Sequence, residues 1–374
     1  MATLEVDVAV VGAGVAGLAV ARGLQEADRR VVVLEARDRV GGRLLSKAGE
    51  GARGEGPPLD LGATWFWPNE PRVRALIAAL GLPTHRQHRV GDAVYEDPRG
   101  VQRLVGNPLD VESGRFSRGA SSLALELAVR LEPGTVRLST PVRRVRGAGD
   151  GVVVEAEGPD GGAVRVEARH AVLALPPALA AHGVEFRPAL PSEIARLAAA
   201  TPVWMGATIK VVVRYARAFW REAGLSGAAV SHVGPLREIH DMSGPEGDPA
   251  ALFGFAESVS GAEGREPVLR QLVRLFGPEA ADPLGLDLVD WSRERWTSPP
   301  QSDRSRRFEL YGHPLYQEPI HGRIHFASTE TAPAFGGHIE GALIAAEAVV
   351  ARLAPLSSDE PDDGAGDAYR TRTE

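Results

Sequence analysis

The stretch EVDVAVVGAGVAGLAVARGLQEADRRVVVLEARDRVGGR, Glu5–Arg43, contains a β-branched run, a glycine-rich turn and an apolar-periodic segment that predicts a helix. This order of strand, turn and helix is the context that the dinucleotide-binding fingerprint requires. Gly12 can form the tight turn, Gly14 lets backbone approach a pyrophosphate, and Gly17 lets the helix pack closely on the strand. The first amides of the helix then face the phosphates. The stretch therefore predicts a dinucleotide site in preference to a purely structural glycine turn.

A second buried-strand pattern, residues 31–35 (VVVLE), ends in the carboxylate of Glu35, eighteen residues after Gly17. A carboxylate at this place can accept hydrogen bonds from ribose hydroxyls. The next turn ends in Arg43, whose planar guanidinium can bind a pyrophosphate through two hydrogen bonds; a solvated arginine in a surface turn is the alternative. The candidate cofactor-binding residues of this segment are Gly12, Gly14, Gly17, Glu35, Ala36, Arg37, Gly42 and Arg43.

The bulk composition is that of a globular protein of enzyme size. A chain of 374 residues exceeds the size at which a single core stays favourable, which predicts two lobes. The net charge of -7 comes without a Lys/Arg-rich run, which argues against a nucleic-acid partner. No apolar run approaches the ~20 residues that a membrane helix requires, and the first residues lack the pattern of a signal peptide. We therefore expect a cytoplasmic protein without membrane contact.

The residue types that bind metals are poorly represented. The chain has no cysteine, which excludes disulfides, thiolate metal sites and a thioether-linked cofactor. His85 with His88, and His321 with His325, have spacings that a metal could use, but no acid or thiol completes either set. Solvated or packed histidines explain both pairs, so we predict no metal site.

Four stretches together carry a resemblance to a known family. GAGVAGL, LEARDRVGGR, DLGATWFW and STETAPAFGGHIEGA are similar to motifs of the flavin-dependent amine oxidases, the monoamine and polyamine oxidases. The resemblance implies FAD rather than NAD as the cofactor. It also implies an α/β fold, an FAD-binding Rossmann-type two-dinucleotide-binding fold with a small antiparallel meander, accompanied by a reduced α+β substrate domain.

The domain organisation follows from the same patterns. Three short strand patterns, GVVVEAE, AVRVEA and AVLALPP, indicate the meander. The tail, rich in acids, Ser, Gly and Pro, is expected to be disordered. The expected division is a discontinuous FAD-binding domain of residues 1–68, 119–177 and 292–355, a substrate domain of residues 69–118 and 178–291, and a disordered tail of residues 356–374.

The resemblance assigns further residues to the flavin. Val142 matches a residue whose backbone contacts the adenine, and Glu330 matches one near the ribityl and phosphate region. Ile339 starts a helix, and its N–H would face the pyrimidine ring, where the reduced flavin is anionic. The matched cofactor-binding residues are Gly62, Ala63, Thr64, Val142, Glu330 and Ile339.

Lys210 lies in ATIKVVVRYARAFWRE, a stretch whose alternation predicts a strand with one more apolar face, from which Lys210 projects away. The lysine matches the family residue that holds a water near the flavin N5. This match implies that Lys210 assists reoxidation of the flavin by oxygen. An exposed lysine on a strand face is the alternative.

The family commonly has two aromatic residues as a cage before the flavin. His338 stands at one of these positions, where it either binds or deprotonates the amine or packs at a helix start. Pro300 and Gln301 stand where a flavin-linked Cys and an aromatic are often found, so we expect FAD to be non-covalent. The candidate catalytic residues are Lys210, His338, Gln301 and Phe335.

The long helical segment that roofs the substrate cavity in the family is replaced here by a short Pro/Gly-rich connection near residues 101–115. The site is therefore expected to be open, or roofed by a partner subunit in a homo-oligomer. The expected reaction is oxidation of a small-molecule amine to an imine by hydride transfer to flavin N5, with O2 giving H2O2. A flavin dehydrogenase or desaturase acting on a non-amine substrate, and a flavoprotein with a partner-binding role, are the alternatives.

Overall fold

The computed structural model describes residues 3–51, 54–256, 264–299 and 307–355, without the side chains of 49–51 and 54–57. Gln301 and the tail predicted to be disordered, 356–374, lie outside the described residues. Within these ranges the strands are β1 Thr3–Val11, β2 Val31–Leu34, β3 Ser46–Gly51, β4 Gly54–Asp60, β5 Trp65–Phe66, β6 Thr84–Arg86, β7 Asp92–Asp97, β8 Gly100–Leu104, β9 Gly114–Phe116, β10 Val136–Arg137, β11 Val142–Ala148, β12 Gly151–Glu157, β13 Ala163–Leu173, β14 Glu185–Arg187, β15 Ile209–Tyr215, β16 Leu225–Ser231, β17 Leu236–Asp241, β18 Ala250–Ala256, β19 Gly285–Asp290 and β20 Ile324–Phe326.

The helices of the described residues are interspersed among these strands. They are α1 Val15–Gln25, α2 Pro71–Leu80, α3 Ser121–Val129, α4 Pro177–Gly183, α5 Ser192–Ala200, α6 Phe219–Glu222, α7 Arg265–Phe276 and α8 Ile339–Leu353. In the part of the chain that the structure describes, no helix is both long and apolar enough to span a bilayer.

The first sheet has eight strands and a parallel centre. β10, β2, β1 and β13 lie side by side in parallel, and β20 extends the parallel set along the last residues of β13. Successive side chains of β1 enter two cores, Val8 and Val10 on one face and Ala9 and Val11 on the other. Both faces are covered, which explains why the strand is a continuous apolar run. The arrangement confirms the predicted Rossmann-type fold.

The meander of the first sheet differs in membership from the prediction. AVRVEA and AVLALPP, expected to be two strands, form the single strand β13, because no turn interrupts the segment between Ala163 and Leu173. β12 pairs antiparallel with the first part of β13, and β11 is the third antiparallel strand. β14, in the segment expected to belong to the substrate domain, pairs with β11. We therefore propose that this domain boundary lies after Arg187.

The second sheet has seven strands in the order β19-β15-β18-β17-β16-β7-β8. Its pairings are antiparallel except for that of β16 with β7. α7 packs on one face through apolar side chains such as Leu272 and Phe276, which share a core with Val211 and Ile239. The β7–β8 hairpin forms one edge of this sheet. The first residues of the short connection near 101–115, predicted in place of a helical roof, therefore belong to strand β8.

The first and last helices pack in the same core as one face of β1. A side chain at Gly23 of α1 would lie 2.9 Å from Val350 of α8, so the two helices are in close contact at this point. α3 adds Leu123 and Leu127 to the core. The starts of α1 and α8 both line one cavity.

Candidate active site

A cavity of about 980 Å³ is lined by residues of both sheets. Most of the predicted cofactor-binding residues line it, although they come from distant parts of the chain. Gly17 and Glu330 are the exceptions and lie behind the lining residues. The predicted residues on the wall are Gly12, Gly14, Glu35, Ala36, Arg37, Gly42, Arg43, Gly62, Ala63, Thr64, Val142, Lys210, His338 and Ile339.

The glycine-rich turn has the geometry that a pyrophosphate requires. Gly12 has φ +105°, and a Cβ there would lie 2.7 Å from the carbonyl oxygen of Ala174. A Cβ on Gly17 would lie 2.0 Å from the carbonyl oxygen of Gly12, so only glycine lets α1 begin this close to the turn. A Cβ on Gly14 would meet no atom within 4 Å. The backbone at Gly14 therefore faces open space at the start of α1, where no side chain caps the helix.

Glu35 follows β2 and is buried on the cavity wall. Its Oε2 accepts a hydrogen bond of 2.7 Å from the Ala13 N–H, and its Oε1 accepts one of 2.9 Å from the Arg37 N–H. An ionised carboxylate offers about four lone-pair positions. One is used by the glycine turn at Ala13 and one by the backbone that follows β2 at Arg37, and the others can accept hydroxyl groups of a ribose.

Arg43 and Glu330, predicted as separate contacts of the cofactor, form an ion pair. The guanidinium donates two hydrogen bonds, of 2.6 and 3.1 Å, to the two carboxylate oxygens. Glu330 is fully buried; burial alone would raise its pKa, but the charge and hydrogen bonds of Arg43 lower it below its ordinary value. The carboxylate is therefore ionised, and Arg43 stands between it and the cavity.

Lys210 is buried, with 1% of its surface exposed, so the exposed alternative is wrong. All seven residues of β15 are buried because both faces of the second sheet are covered here. The ammonium donates to the Gly62 carbonyl oxygen at 2.9 Å and to the Thr64 hydroxyl, and it lies 4.3 Å from the centre of the Phe253 ring. Burial lowers the pKa of Lys210 to about 7, against an opposing effect of Asp60.

α8 starts at Ile339 after a sharp turn. Gly337 has φ +91°, and a Cβ there would lie 2.4 Å from the Trp204 ring. His338 precedes the helix, and its side chain makes no capping hydrogen bond to the first amides of α8. The positive end of the helix therefore opens on the cavity, which Ile339 lines.

The His338 side chain lies among aromatic rings and one acid. Its Nδ1 is 2.7 Å from Oε1 of Glu70, and its ring centre is 4.8 Å from that of Trp67 and 6.4 Å from that of Trp204. Phe335, the remaining catalytic candidate, does not line the cavity: it forms the turn before α8 with φ +54°, and its ring lies 6.2 Å from that of His338. Its assignment as a catalytic residue is not supported by its position.

Several lining residues are not among the predicted site residues. Trp67 ends the stretch DLGATWFW, from which the resemblance assigns only Gly62, Ala63 and Thr64 to the flavin. The neighbouring Phe66 packs in the core, against Phe116 at 5.2 Å. Trp204 is contributed by a loop and its N–H donates to Glu330 at 3.3 Å. A hydrophobic-pattern search could not have found it, because its partners lie more than a hundred residues away.

Glu238 also lines the cavity, in register with Lys210. Lys210 of β15 is opposite Phe255 of β18, which is opposite Glu238 of β17. Directly opposed residues point to the same face, so the three form a row about 10 Å long across the sheet. Nε2 of His240 lies 3.8 Å from a carboxylate oxygen of Glu238, and this close contact lowers the pKa of the Glu238 carboxyl below its ordinary value.

Comparison with known proteins agrees with this geometry. The family model described as flavin containing amine oxidoreductase matches residues 15–114 and 92–354. The chain belongs to this family. It is 32% identical to a putative flavin-containing monoamine oxidase, AofH, of Mycobacterium tuberculosis, over 94% of this chain and 97% of the relative. It is 28% identical to the putrescine oxidase of Kocuria rosea, over 91% and 93%.

Solved structures give the same result. A putrescine oxidase structure with putrescine bound superposes with a TM-score of 0.82 at 25% identity, covering 94% of this chain and 99% of that one. The protein is therefore an FAD-dependent amine oxidoreductase. The glycine turn, the Glu35 carboxylate and the start of α8 fit FAD, since they offer amides for phosphate, an acceptor for ribose and positive potential for an anionic ring.

Proposed function

We propose that this member of the family oxidises a primary amine that carries a second cationic group, with oxygen as the electron acceptor. Bound FAD supplies the redox chemistry, by accepting a hydride equivalent from the carbon next to nitrogen. The rest of the task belongs to the protein, which must hold that carbon in place, keep the amine neutral and exclude competing reactions. Family membership favours this function over the dehydrogenase and partner-binding alternatives.

The observation that carries the proposal is Glu238. Glu35 and Glu238 are the carboxylates among the described residues that line the cavity, and Glu35 already accepts hydrogen bonds from the Ala13 and Arg37 N–H groups. Glu238 stands in the row that begins at Lys210, so an ammonium bound to it leaves the other end of a short diamine near Lys210. The relative that oxidises putrescine, a diamine, supports the same class. Arg237 also lines the cavity, and its guanidinium could bind a substrate carboxylate, so amino acids are the substrate class to compare with diamines.

The remaining residues take complementary roles. We assign to Trp67, Trp204 and His338 the front wall against which the substrate packs, and to His338 the removal of a proton from the substrate ammonium. We assign to Lys210 the holding of a water and assistance to oxygen. The first amides of α8 provide positive potential near Ile339. FAD has no thioether link to the protein, since the chain has no cysteine.

The test compares two substrates that differ only in the second ammonium. Anaerobic titration of the FAD-loaded protein with 1,4-diaminobutane is expected to bleach the flavin spectrum at lower concentration than 1-aminobutane. The variant E238Q should weaken 1,4-diaminobutane about tenfold or more, as expected for the loss of a charged hydrogen bond, and leave 1-aminobutane unchanged. Hydrogen peroxide formed after air is admitted shows that oxygen is the electron acceptor.

Three results would contradict the proposal. If the wild type uses both amines equally, the second cationic group of the substrate is not recognised. If amino acids bleach the flavin and diamines do not, Arg237 rather than Glu238 determines the substrate class. If no amine bleaches the flavin, amine oxidation is refuted. The cytoplasmic location and a homo-oligomer that roofs the site stay predictions, testable by fractionation and by light scattering.

A further inference from the structure

Glu70 is a buried carboxylate with two contacts at the front of the cavity. Its Oε1 lies 2.7 Å from Nδ1 of His338, and its Oε2 accepts a hydrogen bond of 2.9 Å from the Trp67 N–H. Its side chain is 1% exposed, whereas that of His338 is 33% exposed. The acid is thus shielded from water, and the histidine is the part of the pair that a substrate can reach.

This contact decides which ring nitrogen of His338 carries a proton. An ionised carboxylate can only accept, so Nδ1 is the donor and Nε2 of the neutral ring is an acceptor. Among the described residues, the hydrogen bonds of the ring involve Nδ1 only. His338 lines the cavity, so the Nε2 lone pair is available to a substrate.

Glu340 joins the same two helices without contacting the ring. This acid, in the first turn of α8, accepts hydrogen bonds from the N–H groups of Arg72 and Val73 at the start of α2, at 3.2 and 2.9 Å. Its oxygen also lies 3.3 Å from the Arg72 guanidinium. Glu340 therefore stabilises the docking of α2 on α8, and it serves as a matched control for Glu70.

We propose that Glu70 is a positioning residue that holds His338 in the tautomer whose Nε2 accepts a proton from the substrate ammonium; the inference rests on the function proposed above. In this step one N–H bond of R–CH2–NH3+ breaks, the proton forms an Nε2–H bond on His338, and the electron pair stays on nitrogen as R–CH2–NH2. The imidazolium lies against the Glu70 carboxylate, which stabilises its charge. The exposed edge of the imidazolium then returns the proton to water.

No other charge competes for the ring among the described residues in contact with it. The ring neighbours are Trp67, Trp204 and Phe335, which are uncharged. Arg72 of α2 and Glu340 of α8 form an ion pair with each other, and neither contacts the ring among the described residues. Glu70 is the charged group of the described residues that contacts the His338 ring.

The variant E70Q tests this assignment without changing the size of the side chain. Its carbonyl oxygen still accepts from Trp67, which turns the amide NH2 toward Nδ1 and moves the ring proton to Nε2. Nitrogen NMR of the FAD-loaded protein labelled in histidine should find the proton on Nδ1 in the wild type and on Nε2 in E70Q. The signals of His338 are assigned by their loss in H338F.

The same variants are compared in flavin reduction by 1,4-diaminobutane under anaerobic conditions. E70Q should be about 100-fold slower at pH 7, a typical contribution of a positioned base. H338F and the double variant E70Q/H338F should have equal rates, because Glu70 acts through His338. E340Q should unfold at a lower temperature while it keeps the wild-type tautomer and a rate within threefold of the wild type.

The inference is overturned if E70Q keeps the proton on Nδ1 or reduces at the wild-type rate. It is also overturned if E340Q is slowed as much as E70Q with the tautomer unchanged, since Glu70 would then act only in docking the helices. If the wild type reacts with no amine at all, the proposed function fails, and the NMR comparison still tests the contact between Glu70 and His338.

Discussion

Replacing Lys210 by methionine should change how the stability of the protein depends on pH. The pKa of Lys210 is lowered by burial from 10.5 to about 7. One pKa unit corresponds to about 1.4 kcal/mol, so protonated Lys210 opposes folding by about 5 kcal/mol when the pH is below 7. Between pH 7 and 10.5 the unfolded chain holds a proton that the folded protein has lost. The free energy of unfolding therefore rises with pH in this window.

The variant K210M has no titrating group at this position and lacks the rise. Between pH 7 and pH 9 the wild type should gain about 2 to 3 kcal/mol in free energy of unfolding relative to K210M. Between pH 5.5 and 6.5 the difference should stay constant. Urea unfolding in excess FAD measures both intervals. K47M is the control for the loss of a lysine at the surface, because 58% of the Lys47 side chain is exposed.

The composition of the chain allows a direct check. Lys47 and Lys210 are its only lysines, so protein labelled in lysine gives two side-chain signals in an NMR titration. One signal should titrate near pH 7 and disappear in K210M. Parallel stability curves of wild type and K210M, together with the absence of any K210M-sensitive signal that titrates near pH 7, would refute the conclusion that burial lowers the pKa of Lys210.

Two further predictions concern residues on the cavity wall. The variant R43M leaves the buried Glu330 carboxylate unpaired and should lose about 3 kcal/mol of stability in calorimetry; the double variant R43M/E330Q should recover most of the loss, and no recovery would mean that the ion pair is not the cause. In stopped flow, K210M should slow the reoxidation of reduced flavin by oxygen while FAD stays bound, and an unchanged rate would rule out the role of Lys210 in that step.

The local part of the site could be predicted because its constraints are local. Gly12 and Gly17 lie within one turn, and the carbonyl oxygen of one leaves no room for a side chain on the other. Such a clash depends only on the order of strand, turn and helix, which is visible in the sequence. The same holds for Glu35, whose position at the end of β2 follows from the length of α1 and the next strand.

The distant part of the site could not be predicted, because it depends on packing between segments far apart in sequence. Alternation along β15 predicted which residues share a face, but it carried no information about what covers each face, so Lys210 was not recognised as buried. Glu70 likewise had no signal, because its importance arises from a contact with His338 across 268 residues. The sequence predicted two strands, AVRVEA and AVLALPP, where the structure has the single strand β13, because short apolar patterns do not show whether a turn separates them.

Pairing across such distances has a consequence for biosynthesis. The ribosome releases Arg43 and Glu70 early. Their partners, Glu330 for Arg43 and His338 for Glu70, are among the last residues of the described chain to emerge. Until α8 is released, the nucleotide-binding turn has no C-terminal helix beside it and the wall opposite is missing. A nascent or truncated chain should therefore be colourless, and retention of the yellow flavin would report that synthesis has passed α8.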